Sequence, residues 1–137
     1  MKGMELARDF IRRTNQKFAK ELEKYNKSKK ERHLKWFPDI NRRGGYRVLR
    51  TRWTLMKQYN VDGKILIIER FVLKNIKKPV THPKLKIGDV EYRFGYYMLG
   101  KNGNRKNRWT WGESCPIIPK KDFTKLITKA KREGTIT

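Results

Sequence analysis

Aromatic rings and cations are interleaved through residues 90–111, which read VEYRFGYYMLGKNGNRKNRWTW. Because alternate side chains of a strand point to opposite faces, this segment predicts a β-hairpin with two aromatic-rich strands. The Gly and Asn residues of 100–108 tolerate positive φ, so they are expected to form an exposed turn. Rings that can stack on bases, beside cations that can meet phosphates, are typical of a nucleic-acid-binding surface.

Two further strands are predicted upstream of this hairpin. Residues 46–59 alternate strictly and place Arg50 and Arg52 on one face. Residues 64–74 are more apolar, which favours a central strand, and the Asp62-Gly63 pair before them is a strong turn signal. Glu69 falls on the same face as Ile67 and is expected to pair with Arg50 or Arg52 across the sheet.

The candidate nucleic-acid contacts come from the strands, the hairpin tip and the Arg-Arg-Gly-Gly turn. The expected phosphate contacts are Arg42, Arg43, Arg50, Arg52, Arg93, Lys101, Arg105, Lys106 and Arg108. The expected base-stacking rings are Tyr97, Trp109 and Trp111. Burial of these rings in the core is the alternative, as is a plain hinge at 42–45, and the sequence leaves both open.

A metal-dependent nuclease is the alternative function, since such enzymes hold Mg²⁺ or Mn²⁺ with clustered carboxylates. Its candidate catalytic residues are Glu69, Asp89 and Glu91. Ion pairing is the simpler role for these acids, because 13 Asp and Glu face 36 Lys and Arg. A non-catalytic protein without a cofactor is therefore favoured, and enzymatic activity is left open.

Composition points to a strongly negative partner. The formal net charge is +23 in 137 residues, and it is spread along the chain instead of forming a tail. Nucleic acid, either DNA or RNA, fits this charge best, and the aromatic residues favour single strands over duplex. A scaffold that docks an acidic protein is a rival interpretation. The sequence does not indicate the oligomeric state.

A membrane partner is not expected, because no apolar run of about 18 residues exists. Cys115 is the single cysteine, which excludes an internal disulfide and any Cys-rich zinc site. With no apolar signal-peptide core near its start, the chain is expected to be cytoplasmic.

The elements that position these residues predict an α+β fold in a single domain, 1–137. Residues 1–35 are expected to form an amphipathic helix followed by a basic linker, because their apolar residues recur at helical spacing only up to Tyr25. Residues 46–118 are expected to form an antiparallel sheet of about four strands. Residues 120–133 are expected to form a C-terminal helix packed on one face of that sheet, with Gly134 ending it.

Overall fold

The computed structural model describes residues 4–40, 43–81 and 84–137, which form two helices and one antiparallel sheet. In chain order the elements are α1 (Ala7–Ser28), β1 (Lys35–Pro38), β2 (Gly45–Lys57), β3 (Lys64–Lys77), β4 (Val90–Leu99), β5 (Trp109–Trp111) and α2 (Lys120–Arg132). The strands follow the order β1-β2-β3-β4-β5. The predicted α+β class is confirmed, with five strands in place of about four. In the described ranges, neither helix is long and apolar enough to cross a membrane.

The two helices cover opposite faces of the sheet. Ile65 and Ile67 of β3 pack against α1, while Leu66 and Ile68 of the same strand pack against α2. Burial on both sides explains why β3 is a nearly continuous apolar run, and its predicted central position is confirmed. The sequence predicts a helix packed on one face of the sheet, whereas in the structure α1 also lies over part of the other face.

Aromatic side chains fasten α1 to the sheet. Phe10 of α1 contacts the ring of Tyr97 with a centroid separation of 4.9 Å, and it stacks on Trp109 at 5.3 Å. The indole N–H of Trp109 donates to the backbone oxygen of Glu5 at 3.0 Å, and that of Trp53 donates to Asn15 at 2.9 Å. The helix is therefore held by directional contacts as well as by apolar burial.

A bulge in β2 separates two arginines that were expected to share a face. The pairing with β3 passes from Arg50 opposite Phe71 to Arg52 opposite Arg70, so Thr51 is an extra residue. Arg50 consequently faces α1, whereas Arg52 lies on the α2 face. The prediction of one shared face was wrong, because strict alternation fails at a bulge.

Gly95 of β4 leaves room for the indole ring of Trp111 from the neighbouring strand. A Cβ placed on Gly95 would overlap that ring. Glycine is thus required here by the close approach of a side chain.

Replacing Gly95 with Ala is expected to lower the free energy of unfolding by about 1–3 kcal/mol, because the Trp111 ring must move. In a Trp111→Ala background the same replacement should cost much less, since the clash is gone. Urea denaturation of the four proteins measures both costs. Equal costs in the two backgrounds would contradict this account of Gly95.

Candidate nucleic-acid interface

A cleft of about 560 Å³ opens between α1, the segment 32–35 and the face of the sheet that α1 partly covers. Cations from all three parts of the fold line it, and we call it the basic cleft: Lys17, Lys24, Arg32, Lys35, Arg50 and Arg93. Glu21 is the one carboxylate among its lining residues. Its charge therefore favours an anionic ligand.

The floor of the basic cleft is built on the buried carboxylate of Glu69. This carboxylate accepts hydrogen bonds from Arg50 Nε at 2.8 Å and from Arg93 Nε at 2.8 Å and Nη2 at 3.1 Å. Arg50 also reaches Glu21 of α1 at 3.2 Å. The predicted pairing of Glu69 with a β2 arginine is confirmed for Arg50, while the bulge places Arg52 on the other face.

Aromatic rings hold the two floor guanidinium groups in place. The Arg50 guanidinium lies 3.7 Å from the centroid of Phe18, and that of Arg93 lies 4.5 Å from the centroid of Trp111. The Arg93 side chain is still 30% exposed and that of Arg50 14% exposed. Both cations are oriented in advance and keep solvent-facing area for a ligand.

Lys35 lies beside the two floor arginines of the basic cleft. Burial of its amino group, followed by repulsion from Arg93 and Arg50, lowers the pKa of Lys35, although much of its side chain is exposed. The carboxylates of Glu69 and Glu21 raise the pKa of Lys35, but by less than burial and the two arginines together lower it. An anion bound near Lys35 would raise its pKa, because a negative charge stabilises the charged amine.

The three rings expected to stack on bases lie on the α1 face and are half-buried. Phe10 packs on Tyr97 and Trp109, and the Tyr97 ring meets the edge of Trp111 at 5.3 Å. Burial raises the pKa of Tyr97 to about 12. Much of the ring area is therefore used in packing, and Tyr97 and Trp111 are the two of these rings that line the cleft. Base stacking by the three rings stays a prediction.

The other predicted phosphate contacts do not converge on the basic cleft. The tip that carries Lys101, Arg105, Lys106 and Arg108 is exposed throughout, as expected, but its residues are not among those lining the cleft. Arg43 is exposed near the turn before β2, and Arg42 lies outside the described residues.

Sequence reasoning did not single out the cations on the cleft walls, which are Lys17, Lys24, Arg32 and Lys35. The sequence predicts a basic linker that follows the first helix and ends at residue 35, but nothing in the sequence shows that this linker and the helix lie over Arg50 and Arg93. The dense like charge of 26–35 was the available signal.

The acids of the nuclease alternative take part in separate interactions. Glu69 is held by two arginines, and Asp89 accepts a hydrogen bond from the Lys86 backbone N–H at 2.9 Å. Burial of the Tyr46 phenol is the largest cause that raises its pKa, and the nearby Glu91 carboxylate adds to this effect. Over the described ranges, no three His, Cys, Asp or Glu side chains are grouped as a metal site requires.

Glu69→Gln is expected to lower the free energy of unfolding by about 3–5 kcal/mol, because a neutral amide leaves two confined guanidinium groups without a counter-charge. Glu113→Gln, at an exposed position, is the matched control. Chemical denaturation gives both values. Similar losses in the two variants would show that Glu69 does not organise the cleft floor.

Comparison of the chain with protein-family models, curated proteins and solved structures found no match in any of the three.

Proposed function

We propose that this chain is a non-catalytic nucleic-acid-binding protein that contacts the phosphate backbone at the basic cleft and prefers single strands to duplex. One observation carries the proposal: Lys35, Arg50 and Arg93 converge at a cleft whose lining holds six Lys and Arg side chains and a single carboxylate, that of Glu21. Like charges held together in this way are unfavourable in the free protein and favourable once a phosphate lies among them.

The rest of the molecule has few acids with which to neutralise the cleft. At least eight of the 13 carboxylates already form ion pairs, most of them on other surfaces. Lys17, Lys24 and Lys35 have no ion-pair partner among the described residues. These three lysines are therefore available to phosphates.

A polymer fits the charge better than a small anion does. Lys17, Lys20 and Lys24 are exposed on α1, spaced three and four residues apart, so they form a row about 10 Å long on one side of the helix. This row extends the positive surface beyond the basic cleft. A chain of phosphates can contact the row and the cleft together, and its neutralisation releases counterions.

Aromatic rings in the same cleft support the preference for single strands. Tyr97 and Trp111 line it beside Arg93, so a base that follows its phosphate into the cleft meets an aromatic side chain. Such contacts need an unpaired base.

A charge-matched pair of variants tests the proposal. Lys24→Glu with Lys35→Glu reverses two cleft cations, and Lys125→Glu with Lys131→Glu makes the same change in net charge on exposed positions of α2. The cleft variant is expected to lose at least about 10-fold more affinity for a single strand of about 16 nucleotides. A plot of its log affinity against log salt concentration should be less steep by roughly 1.4, since each lost phosphate contact removes about 0.7 from the steepness. Fluorescence anisotropy across a salt series measures both quantities.

Equal losses in the two variants would show that the cleft is not the binding site. An affinity that does not change with salt concentration would show that phosphate contacts do not contribute to binding. Cleavage of the probe on addition of Mg²⁺ would favour the nuclease alternative.

A further inference from the structure

Three exposed rings form a second surface on the α2 side of the sheet, which we call the aromatic strip: Tyr92, Phe94 and Phe123. Their exposed fractions are 41%, 40% and 47%. Phe94 of β4 and Phe123 of α2 lie nearly parallel, with centroids 6.4 Å apart. Helix α2 buries Leu66 and Ile68 but leaves these rings in contact with solvent. Adjacent exposed rings of this kind mark an interaction surface.

Two cations without acidic partners border the aromatic strip. Arg52 of β2 lies opposite Arg70 of β3, and Arg70 lies opposite Tyr92 of β4, so the three share one face. Neither arginine forms an ion pair with a described carboxylate. Glu133, at the end of α2, is already bound to Lys129 and to Thr54. Like charges directly opposite each other are destabilising, and an anion between them would remove the repulsion.

The aromatic strip and the basic cleft meet at one edge of the sheet. Strand β5 pairs only with Tyr97–Leu99 of β4, so residues 90–95 have no strand partner on their outer side among the described residues. Along this edge Arg93 points into the basic cleft, while Tyr92 and Phe94 point to the opposite face. A flexible chain that crosses the edge can therefore reach both surfaces.

We propose that the aromatic strip stacks the bases of a single-stranded nucleic acid, whose phosphates contact Arg52 and Arg70 as the strand crosses the β4 edge from the basic cleft. This inference rests on the proposed function and adds a second set of base contacts on the face of the sheet opposite to Tyr97, Trp109 and Trp111. The flanking arginines favour a nucleic acid over an apolar protein segment, because they complement phosphates placed next to stacked bases.

An abasic strand separates stacking from charge. Wild-type protein is titrated with an oligothymidylate of about 16 nucleotides and with an abasic strand of equal length, which has the same phosphates. The thymidine strand is expected to bind at least about 10-fold more tightly. Tyr92→Ala with Phe94→Ala should reduce this preference to the few-fold that Tyr97 and Trp111 supply, and leave abasic binding unchanged. Tyr92→Leu with Phe94→Leu keeps apolar area but no flat ring, and should do the same.

Tyr59→Ala is the control, because Tyr59 is an exposed ring on the β2–β3 turn, at 58%, and this variant should keep the preference. Equal wild-type affinity for both strands would overturn base stacking on the aromatic strip, whereas the phosphate contacts of the proposed function would stand. Failure to bind either strand at low salt would overturn both. An unchanged thymidine preference in the Leu and Ala variants, together with lost self-association in sedimentation, would show that the edge joins copies of this chain and would overturn the inference.

Discussion

The buried carboxylate of Glu69 is the contact on which the arrangement depends. It lies on the central strand and binds Arg50 from one neighbouring strand and Arg93 from the other. The bulge at Thr51 turns Arg50 toward it, and Glu21 of α1 closes the network from above. A buried ion pair is weak evidence of added stability, since desolvation offsets the attraction. Its effect here is positional: it fixes two cations at the floor of a cleft whose walls are also basic.

A shortage of acids connects this network with the rest of the surface. Because 36 basic residues share 13 carboxylates, of which at least eight already form ion pairs, some cations are left close to one another. Repulsion from Arg93 and Arg50 adds to burial in lowering the pKa of Lys35, and Arg52 lies opposite Arg70 across the sheet. Both arrangements cost folding free energy in the free protein. A polyanion that bound the folded chain would recover this cost and stabilise the fold by mass action.

Sequence alternation was sufficient to predict β2, β3, the β4–β5 hairpin and the contact between Glu69 and Arg50, because each depends on local period and on neighbouring strands. It did not predict β1, whose four residues are too short to show a period. The bulge at Thr51 also leaves no local signal, so Arg52 was placed on the wrong face. Periodicity identifies the buried side of a helix but not the sheet face that receives it. The half-burial of Trp109 under α1 therefore required the tertiary structure.

The central claim is that nucleic acid lies in the basic cleft, and lysine acylation read residue by residue in mass spectrometry tests it most directly. In the free protein Lys35 should react rapidly, because its lowered pKa leaves more neutral amine. With a saturating oligonucleotide, Lys17, Lys24 and Lys35 should lose reactivity, whereas Lys125 and Lys131 on α2 should keep theirs. Protection spread evenly over all the lysines, or confined to α2, would contradict the account.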